Sequence, residues 1–462
     1  MLNGIVIFWI SNLVYSCQKF SSRYVFFVFN IVIFLFFISR PLINSFHSSK
    51  IIQKNYWNCS TVSENLFALG SVYISLICIL LGVNISEKIL NKNQDIFKKN
   101  SYVHNLEFVS MVMFYISVCF LFIVEIEKLM YMRGRNYEEI YVSFNTKLPL
   151  IINIFASMCK YFLCIFLACF PKKSKAFFPL CLYVISSMPY FLIGARHKLV
   201  ESVLFAIVYY IIREILNFKE NKTKNEWFGK LEKGTLCLGM PAGMAFLGAH
   251  NYIRENKKLE IKNMLNLIVD FFYKQGVSFD VLRMGYKAIP KIKYTGFVNY
   301  SFGDMLDYIF YGNIAQFLFG TKSLGTGQNE ISGLYSNQLA NRLAYTIAKD
   351  YFLAGHGWGS SYILDSYADW GYIGIIVFSL AIGFLFGAIA KSIMNKNHIN
   401  RTIILVILTG IFYCPRTSSF RWISFLVYAQ YYIPVIICFA GAKLLSKSYD
   451  IKQKYSFIEK EF

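Results

Sequence analysis

Leu353 to Ala390 reads LAGHGWGSSYILDSYADWGYIGIIVFSLAIGFLFGAIA, and its character changes at Tyr372. From Tyr372 to Ala390 there is no charged side chain. A helix of that length rises about 1.5 Å per residue and so crosses a bilayer core of roughly 30 Å. Upstream lies a polar turn with alternating glycines, Gly355, Gly357 and Gly359, followed by Asp365 and Asp369. A surface capable of chemistry therefore meets a membrane span here.

Outward from this stretch, apolar runs recur along nearly the whole chain. Hydrophobic residues make up 56% of it and charged residues 16%, where soluble domains are roughly 45 to 50% apolar. We place about eleven spans, at 2–16, 25–42, 66–83, 106–124, 150–170, 177–193, 199–216, 234–250, 372–390, 402–414 and 423–442. Backbone groups in lipid must be satisfied within the segment, and the alternating strands of a barrel are missing, so the spans read as helices. The expected fold is all-α and polytopic. It divides into a first bundle over 1–250, a large, partly helical outer connection over 251–371, and three last spans with a tail over 372–462.

Lys88, Lys92, Lys98 and Lys99, then Lys172, Lys173 and Lys175, the run from Arg213 to Lys233, the 391–401 turn and Lys443, Lys447, Lys452 and Lys454 fall on alternate connections. That shared face is expected to be cytoplasmic, which puts the C-terminus inside and both the N-terminus and 251–371 outside. The net charge of +21 reflects this bias and attraction to anionic membrane lipids rather than nucleic acid, for which no basic and aromatic stripe is seen. Of eleven cysteines, Cys59 alone sits clearly in an outer connection; no CxxC pair or metal-ligand spacing occurs. The first apolar run lacks a basic leader and a small-residue cleavage site, so it is expected to stay as an anchor.

A connection much longer than about 15 residues is usually functional or structured. Ile261, Met264, Leu265, Ile268 and Phe272 repeat at helical spacing, as do Met305, Leu306, Ile309 and Phe310, and Leu339, Leu343 and Ile347 with Arg342 nearby. These stripes suit helices packed onto the bundle or lying on lipid. Two basic clusters face the same side: Gly194-Ala195-Arg196-His197-Lys198, with Glu201 a turn further on, and Pro415 to Arg421, whose Arg416 and Arg421 are forks suited to phosphate. Lys160 falls inside a span, where a cation is usually paired or functional.

The glycine turn admits two readings, an anion nest and a flexible lead into a helix. Asp365 and Asp369, four apart, share a helix face. Either can take the proton of an attacking hydroxyl, and either can be an ordinary acidic first turn on a helix dipole. With His356 they form the candidate catalytic set; Arg196, Arg342, Arg416, Arg421 and the three glycines form the candidate phosphate-binding set.

The span order, the single large outer connection before the last three helices and the run GHGWGSSYILDSYADWGYIGIIVFS resemble the bacterial O-antigen polymerases, or oligosaccharide repeat unit polymerases. Asp365 stands where that family commonly has Glu, and Gly194-Ala195-Arg196 matches its glycine and arginine at the head of an earlier helix. The resemblance implies a GT-C-like bundle in the bacterial inner membrane and a glycosyltransferase. This enzyme would move a growing glycan from undecaprenyl pyrophosphate to a sugar hydroxyl of a new lipid-linked repeat unit, at the periplasmic face. It implies inversion without a metal or other cofactor, arginines replacing the metal, and admits a chain-length regulator protein as partner. A flippase of lipid-linked sugar and an O-antigen ligase stand as alternatives.

Overall fold

The computed structural model describes residues 1–46, 61–90, 101–221, 227–254, 264–293 and 298–458. Lys92, Lys98, Lys99, Cys59 and Ile261 lie outside the described residues. Among the described residues every element is helical. The bundle begins with α1 (Leu2–Gln18), α2 (Phe20–Phe46), α3 (Val62–Ile89), α4 (Ser101–Tyr131), α5 (Leu150–Ala168), α6 (Lys173–Ile193), α7 (His197–Asn221) and α8 (Lys230–Arg254). The long connection folds into α9 (Met264–Gln275), α10 (Val277–Ala288), α11 (Gly303–Tyr311), α12 (Asn313–Phe319), α13 (Glu330–Tyr335) and α14 (Leu339–Ile347). The chain ends in α15 (Tyr362–Ser392), α16 (His398–Leu408) and α17 (Ala429–Ile458).

Seven of these helices are long and apolar enough to cross a membrane: α2, α3, α4, α5, α6, α15 and the first part of α17. The other four expected spans differ for physical reasons. The run at 2–16 forms a helix of 17 residues, about 25 Å at 1.5 Å per residue and thus short of a full core. The run at 402–414 is interrupted: α16 stops at Leu408 and a 3₁₀ turn, Ile411–Tyr413, follows. The runs at 199–216 and 234–250 lie in long helices, but α7 carries Lys198, Glu201, Arg213 and Glu214, and α8 carries Pro241 and several glycines.

One end of the bundle gathers basic side chains. Arg23 forms a bidentate pair with Glu87 at 2.6 and 2.8 Å, tying α2 to the end of α3. Lys391 donates to the last carbonyls of α3, those of Ser86, Glu87 and Leu90, where a helix dipole favours a cation. Lys175 meets Glu107 at 3.3 Å, and buried Arg401 donates to Asn395 O and Ala168 O. The connections that the lysine and arginine count places on one side are thus joined at one end.

The long connection covers the opposite end. Leu339 and Leu343 are buried as their stripe predicts, whereas Leu265, Ile309 and Phe310 stay exposed, so the first two stripes are only partly covered. α15 is two helices separated by Trp370 and Gly371; Gly371 has φ 60° and ψ −147°, a conformation open essentially to glycine. The break falls where the polar turn gives way to the span.

Candidate active site

At the end opposite the basic cluster, α4, α5, α6 and α7 line a half-open cavity of about 290 Å³ that Arg421 also lines. Its wall carries Glu125, Lys160, His197, Lys198 and Glu201. Gly194 makes this placement possible: it ends α6 at φ 115°, and a Cβ there would stand 2.7 Å from the Tyr137 ring. The chain turns there, setting Arg196, His197 and Lys198 at the head of α7.

Lys198 lies 3.4 Å from Glu125 Oε1 and 3.7 Å from the centre of the Tyr190 ring. Lys128 holds the same Glu125 oxygen at 2.9 Å. His197 packs between Tyr190 and Tyr413, each ring centre 5.9 Å away. Burial, and then the charges of Arg421, Lys198 and Arg416, push its pKa down to about 3, so the imidazole is neutral at physiological pH. Arg421 donates to Thr417 Oγ1 at 3.2 Å and keeps accessible surface where it lines the cavity. Burial works to lower its pKa, but the carboxylates of Asp304 and Glu201 outweigh burial and hold it above the ordinary arginine value. Asp304 is in turn pushed up by burial, with Arg421 opposing. A smaller apolar recess of about 30 Å³, lined by Val32, Phe36 and Leu204, shares Glu201 with the charged cavity.

The structure brings together two of the expected clusters, since Arg416 and Arg421 of the 415–421 turn act on His197 at the head of α7. Arg416 reaches Ser278 at 3.5 Å, and Arg196 donates to Leu247 O at 3.3 Å. Arg342 sits elsewhere. It is 1% exposed and donates to Ser336 O and Lys293 O, beside Asp307, which accepts from Ser336 and Asn337. Its position braces the connection and does not line the cavity.

The acids are also committed. Asp365 is fully buried and accepts from the Ser360 hydroxyl and, at 3.0 Å, from Ser419 N. Asp369 accepts from Tyr300 N at 2.9 Å and Ser301 N at 2.7 Å. One therefore pins the 415–421 turn to α15, and the other pins the approach to α11. The glycine turn has a similar part. Gly355 and Gly359 take positive φ, and a Cβ on them would crowd Glu138 O and Arg416 O respectively. The amides of Gly355 and His356 are taken by Phe352 O and Tyr351 O, so these two do not open towards an anion. Gly357 is exposed without positive φ. His356 stacks on Tyr351 with centroids 4.1 Å apart, its Nδ1 3.6 Å from Glu138, outside the cavity lining.

A family model described as O-antigen polysaccharide polymerase Wzy matches residues 1–448. The chain belongs to that family. No curated protein and no solved structure matches it. As a member of the Wzy family it is a multi-pass membrane protein with a polysaccharide polymerase role, acting on lipid-linked oligosaccharide repeat units. The titratable residues around its cavity that motif reading passed over are Glu125, Asp304 and, as site residues, Lys160, His197, Lys198 and Glu201. Their signal in the sequence is a charge inside or at the edge of an apolar run.

Proposed function

We propose that this Wzy-family chain joins repeat units in the charged cavity at the periplasmic face of the inner membrane. Undecaprenyl pyrophosphate is the leaving group, and a sugar hydroxyl of the incoming unit is the nucleophile. The observation that carries this reading is Arg421 lining a cavity between apolar helices, with Arg416 on the same turn and Arg196 at the head of α7. A departing pyrophosphate concentrates negative charge, and guanidinium forks bind it with geometry as well as charge. These cations would serve in place of a metal, and a single displacement would invert the sugar.

In this reading Asp365, Asp369, the glycine turn and Arg342 act as scaffold for the arginine-bearing turn and the covering connection. The basic end is cytoplasmic, with the C-terminus there and the N-terminus outside. The four shorter or more polar helices complete about eleven crossings in a GT-C-like arrangement. The long connection lies over the acceptor, and a chain-length regulator would meet the protein on this face.

The test uses lipid-linked repeat units extracted from cells lacking this gene and the purified protein in nanodiscs. Wild-type protein is expected to release undecaprenyl pyrophosphate and build polymer, and Arg421→Ala to slow release by at least about 100-fold. Absence of polymer from the wild-type protein, or an unchanged rate in Arg421→Ala, would overturn the proposal.

A further inference from the structure

Four of the acids near the cavity have their carboxylates occupied or turned away. Both oxygens of Asp365 and both of Asp369 accept hydrogen bonds that anchor connections. Glu125 shares Oε1 between Lys128 and Lys198, and its Oε2, which accepts no hydrogen bond among the described residues, is buried out of reach of a substrate. Asp304 lies outside the cavity lining, with a buried Oδ2.

Glu201 differs from all four. It lines the cavity, is partly accessible, and among the described residues accepts no hydrogen bond and has no cation within ion-pair distance. Arg421, Lys160 and Lys198 act on it electrostatically from further off. It also borders the small apolar recess.

From this geometry we propose that Glu201 is the general base of the polymerisation, accepting the proton of the acceptor sugar's hydroxyl. The inference rests on the proposed function above. As the hydroxyl oxygen bonds to the anomeric carbon of the donor glycan, its proton passes to the Glu201 carboxylate. The bond from that carbon to the pyrophosphate oxygen breaks, and its electron pair leaves with undecaprenyl pyrophosphate beside Arg421. The protonated Glu201 returns its proton to solvent through the cavity before the next unit enters. A base needs an accessible acceptor lone pair within reach of the hydroxyl. Among the described residues two carboxylates line the cavity: Glu125 is 2% exposed and paired with two lysines, whereas Glu201 is partly accessible with no cation at ion-pair distance.

The test again uses repeat units extracted from cells lacking the gene, and measures turnover separately from binding of undecaprenyl pyrophosphate. Glu201→Gln is close in shape and is expected to lose at least about 100-fold in kcat, with undecaprenyl pyrophosphate bound within about threefold of wild type. Glu201→Ala is expected to regain part of its rate when formate is added, because a small carboxylate can enter the vacated space and take the proton. A residue that only shapes the cavity would not respond to formate. Glu201→Gln turning over at the wild-type rate, product binding lost in step with rate, or formate without effect on Glu201→Ala would each overturn the assignment. Failure of the wild-type protein to polymerise would instead overturn the reading of the site itself.

Discussion

Asp365 accepts one hydroxyl and one amide hydrogen, whereas Asp369 accepts two amide hydrogens. This difference separates an anchoring role from a catalytic one. Asparagine at 365 can donate to Ser360 and accept from Ser419, so Asp365→Asn is expected to keep polymerisation within about twofold of wild type. Asp365→Ala leaves the Ser419 amide unpaired in a buried place and is expected to cost about 1–3 kcal/mol in thermal unfolding. At 369 the asparagine amide would face an N–H donor, so Asp369→Asn is expected to destabilise where Asp365→Asn does not. An Asp365→Asn protein that unfolds normally yet makes no polymer would show that Asp365 handles protons. The pair, its spacing and its place before a span are legible in the sequence. Their partners are not, because Ser419 lies 54 residues from Asp365 and Tyr300 lies 69 from Asp369. Arg342 is a similar case: beside an amphipathic stripe it read as a candidate phosphate ligand, and the carbonyls it serves instead come from the folded connection.

Among elements, α3 and α15 approach closest through small residues. A Cβ on Gly82 would lie 2.2 Å from Leu380 O, and one on Gly383 would lie 2.1 Å from Ile79 O. Ser75 joins the same seam, bonded to Tyr362 at 2.6 Å and Ser379 at 2.9 Å. Close backbone approach and hydroxyl bonds are the means by which helices associate where lipid offers no hydrophobic drive. Gly383→Ala must therefore push the helices apart, and the expected result is a loss of about 1–3 kcal/mol of stability and less monodisperse protein after detergent extraction. Gly4→Ala, where no atom lies within 4 Å, is expected to behave as wild type. Wild-type behaviour of Gly383→Ala would contradict this packing. Span length and apolarity made α2 to α6 and α15 readable, since a bilayer imposes both. The charged α7 and the interrupted α16 were less readable, because Lys198 and Glu201 of α7 line the cavity rather than lipid and α16 stops at Leu408 before a 3₁₀ turn.

Across the whole molecule, charge is sorted to two ends, with Arg23, Lys391 and Arg401 at one and the cavity at the other. With Cys17, Cys59, Cys119 and Cys237 replaced by serine, Ser323→Cys in the long connection is expected to react with an impermeant maleimide in intact spheroplasts. Asn395→Cys at the basic end is expected to react only after lysis; the reverse pattern would invert the proposed orientation. The fold class was legible because the solvent of the spans is written into their composition. The cavity was not, because Lys160, Glu201 and Arg421 come from three separate segments that only packing brings together. Ser157 lines this cavity while remaining exposed, its hydroxyl bonded only to Ile154 O of its own helix, so Ser157→Trp can fill the space without disturbing a buried contact. The most direct measurement is the gel ladder of surface glycan from cells lacking the gene and carrying this variant at wild-type membrane levels. Collapse of the ladder to a lipid core bearing a single repeat unit is the predicted result, and a ladder of wild-type length would contradict the placement of polymerisation in this cavity.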